Sequence, residues 1–202
     1  EAGNAVAMTG YNLETGIRTT IPAQIDQPGS LVLNARLFGE IIRKLPDDMV
    51  AISAEAENDM CSITCGMSQF QILGMPAEDF PDLPTMDSIH SFSIPEREIK
   101  SIIAQTLFAV SSDETRPVHL GSLFEMDETG LTVVSVDGFR MALRRTPVKD
   151  QKEMEKFSFV VPGASLAEVE KIASERENPA IITEGARHVQ FQMGDTVLIS
   201  RR

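Results

Sequence analysis

The first candidates for bond-making chemistry in this chain are Cys61 and Cys65, then His90, His119 and His188, and the carboxylates of Asp113, Glu114 and Asp137. The two thiols, four apart on one expected strand, point to the same face. At about 3.3 Å per residue their α-carbons lie about 13 Å apart, beyond disulfide reach, so they read as reduced core cysteines. The histidines fall on separate expected strands, as rim or half-buried residues rather than ligands. A carboxylate pair could serve a hydrolase if it converged in one cleft with raised pKa values. Here the acids stand beside Ser111, Ser112 and Gly138, where they ordinarily shape turns. There is no G-x-x-x-x-G-K-[ST] loop, G-x-S-x-G elbow, H-E-x-x-H or C-x-x-C. No catalytic residue, metal site or cofactor is therefore expected.

Two other groups of side chains suggest binding. In Ser135-Val136-Asp137-Gly138-Phe139-Arg140-Met141-Ala142-Leu143, Asp-Gly between apolar runs predicts a hairpin whose central positions both take positive φ. Phe139, Arg140 and Met141 follow at once, and Met and Phe beside an Arg suit an adaptable peptide pocket. The second group is basic. Arg36 and Arg43 project opposite the stripe Leu37, Phe38, Ile41, Ile42, Leu45. Lys100 flanks the stripe Ile99, Ile102, Ile103, Leu107, Val110, whose far side carries Arg97, Ser101, Gln105 and the apolar Phe108. Lys171 points away from Leu166, Val169, Ile172 and Ala173, with Glu168 and Glu175 on its side. On charge alone these are solvated helix faces.

The elements that position these groups occur twice. Residues 30 to 72 recur about 128 positions later in the same order: an apolar strand, a helical pattern, then three alternating stretches. Ile63 matches Phe191, Gly66 matches Gly194, Ser68 matches Thr196 and Phe70 matches Leu198, while Val6–Asn12 matches Leu131–Asp137. So long a period is a domain duplication, not a solenoid repeat. Strands are predicted at 4–9, 17–22, 31–33, 49–55, 60–66, 69–75, 89–93, 120–128, 131–137 and 139–146. Beyond these come Phe159–Val161, 180–184, 188–193 and 196–200. Helices are predicted at 35–45, at 95–110 opened by Pro95, and over 166–173. The Pro-rich stretch Met75–Asp87 reads as a linker, giving modules 1–87 and 88–202, and Lys149–Lys156 as a surface connection. Each module is α+β, with helices stacked on antiparallel sheet. The second has a strand and helix that the first lacks, so the chain reads as part of a longer protein.

Composition narrows the partners. With 42% hydrophobic and 24% charged residues the chain is ordinary for a globular protein. No apolar run approaches a membrane span and no signal peptide is visible, so a soluble cytoplasmic protein is expected. A net charge of −12 argues against a protein that coats nucleic acid by neutralising phosphates.

The segment Val136-Asp137-Gly138-Phe139-Arg140-Met141-Ala142 resembles a turn of the bacterial DNA sliding clamps, the beta subunits of DNA polymerase III. Asn34-Ala35-Arg36 with Leu45-Pro46, Pro76-Ala77-Glu78-Asp79-Phe80-Pro81, and Thr115-Arg116-Pro117 before Gly121 agree with it along the whole chain. The resemblance implies duplicated clamp domains, sheets outside and helices lining an inner face, with part of domain I at 1–87, most of domain II at 88–202, and domain III absent. It implies a non-catalytic processivity subunit of a DNA-directed DNA polymerase, a homodimeric ring that holds double-stranded DNA by enclosure and without sequence preference. A closed ring needs only a mildly positive lining, with water-mediated contacts that leave it free to slide. Arg36, Arg43, Lys100 and Lys171 would face the DNA. A pocket of His119, Val136, Gly138, Phe139, Arg140 and Met141 would take short peptides from the polymerase III alpha subunit, the clamp loader, other polymerases and repair proteins. His119 makes one wall more polar where Leu is usual. Leu37, Ile41, Phe70 and Ile72 would meet the second subunit. The competing readings are a duplicated α+β interaction module without a DNA role, and a hydrolase built on Asp113, Glu114 and Asp137.

Overall fold

The computed structural model describes residues 4–55, 58–148 and 156–202. All but the last residue of the expected 149–156 connection lies outside them. Two compact units emerge: residues up to Val6 with Pro22–Asp82, and Ala7–Ile21 with Leu83–Arg202.

In the first unit, β3 (Val50–Glu55), β4 (Met60–Cys65) and β5 (Ser68–Leu73) form an antiparallel meander. Helix α1 (Ala35–Ile42) lies with it, its first turn capped by Asn34, whose Oδ1 accepts from the Leu37 amide at 3.0 Å. The helix stops at Ile42 rather than at the expected 45. Arg43, Lys44 and Leu45 donate to the carbonyls of Gly39, Ile41 and Ile42, and Leu45 precedes Pro46, which disfavours helical backbone at that position. The expected strand 31–33 shrinks to one bridge, Val32 to Met75. Ile41, Cys61, Ile63 and Ile72 form the core, with Phe38, Ile42 and Leu45 packed against it. Cys61 and Cys65 are buried free thiols on one face, as the strand spacing predicts. Burial pushes the Cys61 thiol pKa up.

The second unit has two sheets. One has the order β10-β7-β8-β9, from β7 (Gly121–Asp127), β8 (Gly130–Val136), β9 (Met141–Thr146) and β10 (Phe157–Pro162). The other has the order β1-β2-β13-β12-β11-β6, from β1 (Ala5–Tyr11), β2 (Thr15–Pro22), β6 (Ser88–Pro95), β11 (Pro179–Gly185), β12 (His188–Met193) and β13 (Thr196–Arg201). Helices α2 (Glu96–Thr106) and α3 (Gly163–Ile172) pack on one another and on these sheets. Pro95 ends β6 and caps α2 instead of opening its first turn. At the other end α2 yields to a 3-10 turn, Leu107–Ala109, short of the expected 110. Ile99, Ile102 and Ile103 of α2 close over Phe124, Leu131, Val133, Phe159, Ile182, Phe191 and Leu198 in one continuous core.

The duplication is visible in the backbone. Gly66 and Gly194 sit at equivalent strand turns with φ of +55° and +56°, a conformation glycine adopts without steric cost. The row Ile52–Ile63–Phe70 across β3, β4 and β5 corresponds to Ile182–Phe191–Leu198 across β11, β12 and β13. The later row is wholly buried, whereas Ile52 and Phe70 keep 52% and 37% of their surface. The hairpin β1–β2 belongs by sequence to the first module, yet Thr15–Thr19 pairs with Thr196–Ser200 of β13. Packing therefore counts residues 7–21 with the second unit.

Candidate functional site

The turn between β8 and β9 is a four-residue loop, with Val136 and Met141 as its closing pair. Only Gly138 takes positive φ, at +92°, so the expected two-residue hairpin is replaced by a carboxylate-organised turn. Asp137 Oδ1 accepts from the amides of Phe139 at 2.9 Å and Arg140 at 3.0 Å, and Oδ2 accepts from Arg140 Nε at 2.9 Å. An Asp at the first position can close a turn through its own side chain and spare the backbone a second left-handed residue. These bonds, the Phe139 amide foremost, hold the Asp137 pKa below the ordinary aspartate value. A lowered folded pKa favours the closed loop above the usual aspartate range, and that preference fades as pH falls through the lowered value. The Phe139 and Arg140 amide resonances are expected to titrate together below about pH 3.9. Titration at or above that pH would show that the turn does not hold the carboxylate.

Around this loop the expected pocket residues are set out for contact. Phe139 is wholly exposed and Met141 is 66% exposed. The Arg140 guanidinium lies 5.6 Å from the centre of the Phe108 ring, a cation–π distance. A Cβ on Gly138 would meet Arg116 Nη1 at 3.3 Å, so the loop lies directly against Arg116. His119 follows on the 3-10 turn Pro117–Leu120, and its Nδ1 is buried without a hydrogen-bond partner among the described residues. Phe108 and Arg116 were not among the expected pocket residues. The signal for Phe108 was its apolar side chain on an otherwise polar helix face.

The geometry at Asp113 and Asp137 does not support the hydrolase reading. Asp113 spends its carboxylate on the Thr115 amide and hydroxyl, and Asp137 spends its own on the loop. Both pKa values are lowered, where a proton-donating acid needs a raised one. No group of three potential metal ligands occurs among the described residues.

Three of the four expected DNA-facing cations are already paired. Arg36 meets Glu40 at 3.2 Å, Lys100 meets Glu175 at 3.2 Å, and Lys171 meets Glu168 at 2.8 Å. Arg97 meets Glu177 at 2.6 Å. Arg43 has no ion pair among the described residues. Such exposed pairs contribute about 0–1 kcal/mol each and exchange partners readily, so these helix faces present little net positive charge. Of the four residues expected at a subunit interface, Ile41 and Ile72 are buried within their own unit, while Leu37 and Phe70 remain 46% and 37% exposed.

Helices packed on antiparallel sheets in a duplicated α+β arrangement, with a carboxylate-organised loop offering Phe139 and Met141, give the architecture of a DNA clamp domain. Residues 2–84 match the family model of the DNA polymerase III beta subunit N-terminal domain, and residues 93–202 match that of its central domain. The chain belongs to the DNA polymerase III beta subunit family. It is 35% identical over 205 residues to the beta sliding clamp of Halalkalibacterium halodurans and 33% identical over 207 residues to that of Bacillus subtilis, covering 97% and 98% of this chain. It spans 54% of each relative. The structure of a putative DNA polymerase III beta subunit from Eubacterium rectale superposes with a TM-score of 0.91 at 31% identity, covering 99% of this chain and 54% of that one. The sliding clamp of Bacillus subtilis gives 0.90 at 32%, covering 98% and 54%.

Proposed function

We propose that the chain forms two consecutive modules of a bacterial processivity factor, a non-catalytic subunit that encloses duplex DNA as a homodimeric ring and tethers the replicative polymerase. The observation that carries this reading is the tandem match of residues 2–84 and 93–202 to successive domains of one clamp subunit. The charge pattern supports it. A net charge of −12 and carboxylate-paired helix cations suit a protein that retains DNA by enclosure and not by tight phosphate contact. Arg36, Arg43, Lys100 and Lys171 then screen the duplex by brief exchange between carboxylate and phosphate. Leu37 and Phe70 are the apolar contacts left for a second subunit.

The Asp137-organised loop supplies the partner site. With His119, Val136, Gly138, Phe139, Arg140 and Met141 it receives short apolar peptides from the polymerase alpha subunit, the clamp loader, other polymerases and repair proteins in the cytoplasm. The test is topological. The complete subunit, loaded on a nicked circular duplex, is expected to stay bound through a high-salt wash and to leave within minutes once the circle is cut. Retention that is indifferent to cutting would reject enclosure.

A further inference from the structure

Asp137–Gly138 is the one Asp-Gly pair in the chain, and no Asn-Gly pair occurs. That dipeptide has a covalent chemistry of its own. A glycine amide, with no Cβ to crowd it, can attack the side-chain carbonyl of a preceding aspartic acid and close a succinimide ring. The new bond joins Gly138 N to Asp137 Cγ, the amide proton passes to solvent, and the displaced carboxyl oxygen leaves as water. Water then adds to one of the two ring carbonyls. Addition at Cγ restores aspartate, whereas addition at the Asp137 main-chain carbonyl breaks its bond to nitrogen and leaves isoaspartate. A molecule of water leaves and another returns, so mass is unchanged and no oxidant or cofactor is needed.

The turn can dispense with neither residue. Gly138 takes a φ of +92°, where side chains are strained, and a Cβ there would meet Arg116 Nη1 at 3.3 Å. Asp137 closes the loop by accepting from the Phe139 and Arg140 amides and from Arg140 Nε. The same geometry that displays Phe139 and Met141 therefore places a labile pair beside them. The Gly138 amide, which would be the nucleophile, makes no hydrogen bond among the described residues. Restraint falls on the electrophile. Attack needs the neutral acid, because a carboxylate resists nucleophiles. Both carboxylate oxygens are held by donors beyond Gly138, which favours the ionised form, and the Arg140 guanidinium adds a positive charge at 2.9 Å.

We propose that Asp137–Gly138 is a latent isomerisation site of this loop, and that Arg140 is the positioning residue that keeps it silent. Conversion adds a methylene to the main chain and moves the carboxylate onto the α-carbon, so the three bonds that close the turn lose their geometry. On the reading that the loop receives partner peptides, conversion withdraws that site.

The test incubates the folded chain, its Arg140→Gln variant and the synthetic peptide Ser135–Leu143 at neutral pH. Isoaspartate is located by electron-transfer fragmentation of protease digests, which separates the two isomers at equal mass. The peptide is expected to convert at least about 10-fold faster than the chain, the combined effect of the loop's hydrogen bonds. Arg140→Gln should convert roughly 3- to 5-fold faster than the unaltered chain, the worth of an exposed ion pair, and Arg140→Lys should recover part of the protection. Asp137→Glu should give no isomer, because the longer side chain does not close the same ring. Equal rates in peptide and chain, or in chain and Arg140→Gln, would overturn the proposal. So would a rise in Arg140→Gln shared by Asp87–Ser88 and Asp195–Thr196, which would report loosening of the whole unit. These readouts are chemical, so a loop that converts as expected yet receives no peptide would count against the partner reading alone.

Discussion

Phe124→Ala is expected to destabilise the second unit by about 3–5 kcal/mol and to lower its urea midpoint by about 2 M. Phe124 has no exposed surface. Its ring stacks on Phe159 at 5.4 Å and meets the edge of Phe191 at 6.4 Å, so it joins the four-stranded sheet to the six-stranded one. Truncation leaves a cavity between two sheets, each held by its own ladder, and neither can collapse to fill it. Equilibrium unfolding followed by far-UV circular dichroism checks this. A loss below about 1 kcal/mol would mean that the sheets can close the gap.

Glu184→Met is the second large effect, at about 3–5 kcal/mol. The Glu184 side chain is only 8% exposed. It receives His90 Nδ1 at 2.7 Å and Arg202 Nη1 at 2.6 Å, and Arg202 also donates to the Gly185 carbonyl at 2.6 Å. His90 stacks on Phe157 at 4.1 Å and Arg202 lies over Phe159 at 5.7 Å. Removing the carboxylate leaves a half-sheltered guanidinium without its anion. Replacing both ends with Met should recover most of the loss, because paired apolar groups avoid the desolvation cost. A double-mutant cycle decides it: a double variant as unstable as the sum of the singles would show that the pair does not couple.

His90 also marks the limit of reading this chain as a string. Its sequence neighbourhood suggests only a rim residue, because the partner that defines it stands 94 positions away and meets it through the pairing of β6 with β11. Lys100 and Glu175 met the same obstacle, being joined only by the packing of α2 on α3. Local signals fared better. The duplication was legible from anchors such as Gly66 and Gly194, whose matched backbone angles have a local steric cause. The same-face cysteines followed from strand geometry alone. Helix ends were misjudged where apolar periodicity outran the backbone, at Leu45 before Pro46 and after Thr106. At Asp137-Gly138 the turn was found but its type was not, since a side-chain carboxylate replaced the second left-handed residue. Ile41 and Ile72 could not be separated from Leu37 and Phe70 by periodicity, because all four are apolar and only packing shows which ones face outward.

The path of the backbone in and out of the second unit limits how the polypeptide can be dissected. Its sequence alternates between the two bodies, entering the second at Ala7, leaving at Ile21 and returning at Leu83. A recombinant piece cut at the module boundary expected from sequence, from residue 88 onward, would forfeit two of the six strands in its larger sheet and uncover Thr196–Ser200 of β13. Bare strand borders recruit foreign strands. Such a truncation would carry a ready template for self-association that the intact chain keeps covered.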